Sequence, residues 1–324
     1  MSSVKEAILR VKDLKVRFFT RRGTVRAVDG VSFDLLKGEC LCLVGESGCG
    51  KTVTALSILG LIDSPPGRIV GGEILYDGLD LTKCSAEQLR RIRGMDIAMV
   101  FQDAQSALNP VFTIGNQIVE QIRLHLGVSP REAKRRAISR LKEVGIPAPE
   151  EAADYYPHQL SGGMRQRAMI AMSLSCDPRL LIADEPTTAV DVTIKAQIMD
   201  ILRQLKERRK MSIIFITHEL GIVSEIGDRI VVMYAGRVAE SAAVSELLKS
   251  PKHPYTSGLI DCLPDITKGR GKLKSIPGTV PSLDNPPAGC LFHPRCSRVM
   301  AICRKKEPTP VNVKKGHTVY CHLY

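Results

Sequence analysis

Eight consecutive residues, Gly45-Glu46-Ser47-Gly48-Cys49-Gly50-Lys51-Thr52, fit the pattern G-x-x-x-x-G-K followed by Ser or Thr. They lie between a short apolar strand and a helix expected to begin near Lys51. Glycines let successive backbone N–H groups turn inward around phosphate oxygens, and the helix N-terminus adds roughly half a positive charge there. Lys51 is expected to reach the β- and γ-phosphates of a nucleoside triphosphate, and Thr52 to bind Mg²⁺. A second group complements the first. The apolar run Leu180-Leu181-Ile182-Ala183 ends in Asp184-Glu185, two carboxylates at a strand end, where a hard divalent cation and a water can be held beside the γ-phosphate. Asp184 is expected to support Mg²⁺, directly or through water, and Glu185 to orient and deprotonate the attacking water.

A third group, Leu160-Ser161-Gly162-Gly163-Met164, begins a predicted helix, and Ser161 stands 23 residues before Asp184. A Ser hydroxyl and glycine N–H groups at a helix start form an anion site. A fourth group is sulfur-rich: Cys290, Cys296, Cys303 and Cys321 are spaced C-x5-C-x6-C-x17-C. Structural zinc favours closer C-x2–4-C pairs, so four thiols at this wider spacing suit an iron–sulfur cluster at least as well, with zinc as the alternative. His293 and His322 could replace a ligand; Cys262 looks like a bystander, and Cys40, Cys42, Cys84 and Cys176 look like small core or incidental residues.

The elements that must position these groups follow from hydrophobic period. Residues 14–19, 28–35 and 74–81 alternate like half-buried strands, the last around the Asp77-Gly78 turn signal, and predict a β-rich layer. Residues 39–44 then run as a strand into the glycine loop and a helix. From about 103 to 165 the pattern is helical: Ile114, Ile118 and Ile122 share a face, and Ser129-Pro130-Arg131-Glu132 reads as a capping box whose helix should stop at Gly145. After Gly163 a helix to about 175, a strand at 180–183, a helix around 194–207 and a strand at 213–217 alternate as units of a mostly parallel sheet. The predicted fold class is α/β, with a mostly parallel core sheet, an antiparallel β layer and a helical subdomain.

The chain's 324 residues leave room for a full core, and 44% apolar with 25% charged residues excludes disorder as the main state. No stretch approaches the 18 uninterrupted apolar residues of a bilayer span. Residues 1–13 carry Lys5, Glu6, Arg10 and Lys12 with no apolar region behind them, so no secretory signal is read there and a cytosolic location is expected. Thiols stay reduced in that compartment, which argues for metal ligation or burial ahead of disulfides. The net charge of +12 invites an acidic partner, yet residues 251–324 alone contribute +8 of it. The same segment holds ten of nineteen prolines and five of ten cysteines. The expected division is therefore 1–250 and 251–324, the second a small irregular metal-binding domain with a poor core of its own.

Taken together, the glycine loop, the Ser161-Gly162-Gly163 motif and the Asp184-Glu185 strand end resemble the ATP-binding subunits of ABC transporters. Gln102 through Glu120, Tyr156 through Ala171, His253-Pro254-Tyr255-Thr256 and Pro281 through Cys296 are similar to the dipeptide, oligopeptide and nickel importer branch, and the resemblance covers essentially the whole chain. It implies a P-loop ATPase fold. It also implies that Ser161, Gly162, Gly163 and Met164 bind the γ-phosphate of the ATP held by an opposite subunit, with Met164 in place of the commoner Gln. Gln102 resembles the family's Q-loop glutamine, which senses Mg²⁺ and the water; Val190-Asp191 resembles its D-loop, and His218 its switch histidine. Phe18 occupies the place of an adenine-stacking aromatic, with Phe19 competing for the role.

The branch is similar in carrying a C-terminal cysteine cluster, and some members hold a 4Fe–4S cluster there, which favours iron–sulfur over zinc for the four thiols. The expected function is hydrolysis of ATP, with Mg²⁺, to power import of dipeptides or oligopeptides through a transporter. The expected partners are two transmembrane permease subunits, a second ABC ATPase subunit and an extracytoplasmic peptide-binding protein; a homodimer is possible in isolation. The location implied is peripheral, on the cytoplasmic face of the membrane. The rival expectation is a soluble ABC ATPase acting on nucleic acid or ribosomes through its basic cysteine tail. One nucleotide-binding unit and no long coiled-coil insertion between Lys51 and Ser161 speak against that rival.

Overall fold

The first two strands, β1 (Ala7–Thr20) and β2 (Gly23–Leu36), pair antiparallel along their whole length. In β1, where Ile8 is also buried, the alternation of Leu9 and Val11 gives way to that of Leu14 and Val16, so the inward face changes parity. Asp13 accounts for this. It adopts a left-handed φ of 47° where the register slips between Val11 and Leu14, and its N–H donates to Ser32 Oγ at 2.8 Å, so one bulged residue keeps both halves of the strand facing the core. These coordinates are a computed structural model of the chain, and they describe residues 6–21, 23–188, 191–262 and 275–324.

Next come β3 (Cys40–Val44), buried throughout, and α1 (Lys51–Ile58). Strand β4 (Gly67–Tyr76) turns through Asp77 and Gly78, both at positive φ, into β5 (Leu79–Asp80), the two-residue hairpin that the sequence signalled. Helix α2 (Ala86–Ile92) precedes β6 (Ile97–Val100). The helical segment then contains α3 (Ala104–Ala107), α4 (Ile114–Leu126), α5 (Pro130–Glu143) and α6 (Pro149–Ala152). Ile114, Ile118 and Ile122 are all buried on one face of α4. Ser129 caps α5, accepting from Glu132 N–H at 3.3 Å, and Gly145 takes the left-handed conformation just beyond it. The expected reciprocal box does not close, because the Glu132 carboxylate binds Arg135 and Arg136 instead.

The chain continues through α7 (Gly162–Ser173), β7 (Leu180–Asp184), α8 (Val192–Arg209), β8 (Ser212–Thr217), α9 (Leu220–Ile226), β9 (Arg229–Tyr234), β10 (Arg237–Ala243) and α10 (Val244–Lys249). It closes with α11 (Pro254–Asp261), β11 (Val311–Lys314) and β12 (His317–Val319).

Two compact units result, one of Met1–Lys83 with Ile216–Tyr324 and one of Cys84–Phe215. In the first, an antiparallel sheet runs β2-β1-β4-β5, and a second run of strands is ordered β11-β12-β10-β9-β3. There β3 and β9 are parallel, Leu43 opposite Val231. In the second unit, β6 and β7 are parallel, Met99 opposite Ile182, with helices α2 to α8 completing it.

The segment after residue 250 has a better core than its composition suggested. Tyr255 is fully buried, Phe292 is 4% exposed, and β12 pairs with β10, Glu240 opposite Val319. The buried Glu240 carboxylate accepts the Lys252 and His253 N–H groups at 2.7 and 2.9 Å and meets His317 Nε2 at 2.7 Å. Aromatic packing, these strand pairs and the Glu240 hydrogen bonds hold the segment within the first unit. No helix among the described residues is long and apolar enough to cross a membrane.

Candidate nucleotide site

In the first unit, β3 delivers the chain into the loop 45–50, and α1 begins at Lys51. Gly48 and Gly50 have φ of 77° and 98°, values that L side chains rarely adopt. Gly45 is constrained by contact instead: a Cβ there would lie 2.2 Å from the Met233 carbonyl oxygen. Lys51, only 5% exposed, folds back so that Nζ donates to the Gly45 and Glu46 carbonyls at 2.7 and 3.1 Å. The loop thus encloses a fixed ammonium. Ser47, Gly48 and Thr52 are exposed at its rim. Cys49 is buried with Sγ 3.7 Å from Lys51 Nζ; burial raises its pKa and outweighs the nearby charge, so it serves as a neutral packing group.

Two contacts on this loop were not legible in the sequence. The Glu46 N–H donates to the Tyr255 hydroxyl at 2.9 Å, and the Glu46 carboxylate takes both arms of the Arg295 guanidinium at 2.6 and 3.0 Å. Both partners lie more than 200 positions along the chain, beyond any local pattern. In the same unit, Phe18 packs its ring edge at Gly67, where a Cβ would meet it at 2.9 Å, while Phe19 is 53% exposed. His218 is exposed directly after β8.

In the second unit, β7 ends at Asp184, which is 1% exposed, and Glu185 follows at φ 46°. A left-handed glutamate is sterically disfavoured, and such strain gathers at functional positions. Its carboxylate is held from two sides: Gln102 Nε2 donates at 3.3 Å and Thr188 Oγ1 at 3.0 Å, both to Oε2. The sequence had assigned Thr188 no part in holding Glu185. Ser161 caps α7, its Oγ accepting from Met164 N–H at 3.3 Å, and nothing lies within 4 Å of a Cβ built on Gly162. Gly163 instead abuts Ile194, at 2.8 Å. Asp191 caps α8, accepting from Ile194 N–H at 2.8 Å. The preceding D-loop residues Ala189 and Val190 lie outside the described residues, as do residues 1–5 at the start of the chain.

The donor set read from the sequence suits Mg²⁺: the Thr52 hydroxyl, the Asp184 carboxylate and the Gln102 amide oxygen are all hard oxygen donors. With the Gln102 amide nitrogen directed at Glu185, its oxygen is the atom that a cation would use.

The cysteine segment fits its expected metal less well. Burial above all, and then the neighbouring thiols Cys303, Cys321 and Cys296, push Cys290 up to about 11. Burial likewise raises Cys296, with Cys303 beside it, and Cys321, with Cys296 and Cys303 beside it. The four thiols are neighbours, yet among the described residues no group of three or more His, Cys, Asp or Glu side chains is arranged to hold a metal ion. His293 and His322 are turned to backbone carbonyls, of Cys290 and Lys306. What the structure shows of the expected metal-binding domain is a thiol-containing segment that packs through its aromatic side chains and strands.

Comparison with known proteins gives the chain a family. Residues 28–188 match the ABC transporter family, and residues 239–303 match the oligopeptide/dipeptide transporter C-terminal region. A probable peptide ABC transporter ATP-binding protein of Sinorhizobium fredii is 48% identical over 98% of this chain and 95% of its own length. An oligopeptide transport ATP-binding protein of Bacillus subtilis, AppD, is 48% identical over 98% and 97%. The dipeptide transport ATP-binding protein DppD of the same organism is 47% identical over 98% and 95%. Among solved structures, the ATP-binding cassette MJ0796, described as a dimer in a post-hydrolysis state bound to ADP and Pi, superposes with a TM-score of 0.66 at 28% identity, covering 73% of this chain and 98% of that one. The chain belongs to the ATP-binding subunits of ABC transporters, in the branch that carries the oligopeptide/dipeptide transporter C-terminal region.

Proposed function

We propose that this chain hydrolyses ATP to power import of dipeptides or oligopeptides through an ABC transporter. The observation that carries the reading is the glycine loop closed around Lys51, in a chain nearly half identical to peptide transport ATP-binding proteins over almost its full length. Loop N–H groups and Lys51 would bind the triphosphate, with adenine on Phe18 or the more exposed Phe19. Thr52, Gln102 and Asp184 would hold Mg²⁺, which supplies charge neutralisation to the phosphates when bound. Glu185, aimed by Gln102 and Thr188, would take the proton of the attacking water, and His218 would contact the γ-phosphate.

Ser161, Gly162, Gly163 and Met164 would meet the ATP of a second ABC ATPase subunit, with Asp191 nearby, so that nucleotide glues two subunits head to tail. The exposed Ser161 and the open space beside Gly162 suit that role. The further partners would be two transmembrane permease subunits on a membrane's cytoplasmic face and an extracytoplasmic peptide-binding protein. Residues 1–250 would form the ATPase domain and 251–324 a C-terminal domain, in which Cys290, Cys296, Cys303 and Cys321 would hold a 4Fe–4S cluster or zinc after the thiols draw together. No step of hydrolysis runs through that group.

The rival reading, action on nucleic acid through the basic tail, draws no support from the relatives, and Arg295 of that tail is already committed to Glu46. The deciding experiment is purification of the tagged chain from its own cells. Permease subunits in the eluate, together with ATPase activity lost in Lys51→Ala, support the proposal; salt-sensitive RNA or DNA binding without membrane subunits overturns it.

A further inference from the structure

Residue 46 of the phosphate-binding loop is fixed at three points. Its N–H donates to Tyr255, its carbonyl accepts from Lys51, and its carboxylate forms the two-pronged pair with Arg295. Tyr255 and Arg295 both belong to the segment after residue 250, so that segment supplies two of the three. Arg295 is itself held rigidly. Its Nε donates to the Pro277 carbonyl at 2.9 Å, its Nη1 reaches the Tyr234 hydroxyl at 3.4 Å, and its guanidinium lies 5.8 Å from the centre of the Tyr234 ring. It is 8% exposed, and Tyr255 is wholly buried. A fully exposed ion pair would be dispensable, but a two-pronged pair whose arginine is buried, on a loop that must receive a polyanion, is not placed to be idle.

We infer that Arg295 is a positioning residue of the nucleotide site: through Glu46, the C-terminal segment clamps the phosphate-binding loop and sets its affinity for ATP and ADP. The inference rests on the reading that residues 45–52 hold nucleotide phosphates. Two physical effects act in the same direction. A loop already ordered spends less of its binding free energy on ordering when the ligand arrives. A carboxylate next to a phosphate site repels the incoming anion, and the guanidinium cancels that charge. Without Arg295, both effects reverse at once.

The test measures ADP and ATP binding by the full chain, alongside Tm and the KM for ATP. Arg295→Ala should raise Kd and KM about tenfold, with kcat largely kept. Glu46→Gln, which removes the charge while its amide oxygen can still accept from Arg295, should weaken binding less than Arg295→Ala does. Adding Glu46→Gln to Arg295→Ala should recover the electrostatic share of the lost affinity, a compensation that a merely structural role does not produce. Arg295→Lys, which keeps the charge but not the fork, should fall between, and it serves as the readout if the alanine variant does not fold. Wild-type affinity in Arg295→Ala and Arg295→Lys, or a double variant as weak as Arg295→Ala, overturns the inference. If the wild-type chain binds no nucleotide, the reading of residues 45–52 fails instead, and the two failures are distinct.

Discussion

Gln102 and Glu185 lie 83 positions apart, and the glutamine's Nε2 donates to the glutamate's Oε2 at 3.3 Å while Thr188 donates to the same oxygen. One carboxylate oxygen thus accepts from two neutral donors, which aim the side chain. A base positioned in this way can accept a proton from water and hand it on.

Glu185→Gln should therefore abolish steady-state ATP hydrolysis, by a factor of at least about 100, while nucleotide binding remains. Gln102→Ala should slow hydrolysis by about tenfold and leave Glu185 in place. Phosphate release and ADP binding, measured on the same preparations, check both; wild-type turnover in Glu185→Gln would remove that residue from the chemistry.

The glycines separate by what surrounds them. Gly45→Ala forces a Cβ to within 2.2 Å of the Met233 carbonyl oxygen, so it should lower Tm and cost nucleotide binding together. Gly162→Ala meets nothing within 4 Å and should leave Tm unchanged or slightly raised. Any loss of ATP-dependent dimerisation in Gly162→Ala, read by light scattering, then reports the open face of that helix start rather than the fold.

His253 gives the chain an acid-side weakness. Burial lowers its pKa to about 4, and its Nδ1 accepts the Tyr255 N–H at 3.0 Å as the cap of α11. The folded pKa lies below the unfolded one, so below pH 6.5 the unfolded chain binds the extra proton first. Stability is complete above about pH 6.5, falls as pH drops toward 4, and loses up to about 3 kcal/mol across that window. His253→Asn keeps a capping oxygen without the titration. Denaturant midpoints at pH 7 and pH 5 should differ markedly less in that variant than in the wild type; an equal difference would acquit His253.

The four thiols offer a compositional test. Purified without oxygen, the chain should carry iron and acid-labile sulfide in near-equal amounts, lost in Cys296→Ser. Zinc alone would make the segment a structural clip. Absence of both metals would leave the packing of Tyr255, Phe292 and β12 as its whole means of support.

What could be read ahead was whatever had a local cause. The loop at 45–52 carries its pattern within eight residues, α4 shows its buried face through Ile114, Ile118 and Ile122, and the β4–β5 hairpin is announced by Asp77-Gly78. Charge and proline content made the segment after residue 250 look loosely packed, because composition does not reveal that Tyr255 will be buried or that Val319 will find Glu240 across 79 positions. Tyr255 and Arg295 escaped for the same reason: each acts through a partner that only tertiary structure brings near, whereas Thr188 reaches Glu185 across three residues through a local turn. In the Ser129 helix, local pattern misled, since Glu132 had two arginines within one turn competing for the carboxylate meant to close the box.

The discontinuity of the first unit has a consequence for how the chain is made. Strand β3 is buried and apolar, yet its parallel partner β9 begins at residue 229, and the entire Cys84–Phe215 unit is synthesised between them. At about 5–20 residues per second, β3 waits roughly 10–40 seconds before Leu43 can meet Val231. During that interval an apolar edge is open to pairing with other nascent chains. Yield of this protein should accordingly respond to translation speed and to trigger-type chaperones that cover residues 40–44, more than to the thermodynamic stability of the finished fold.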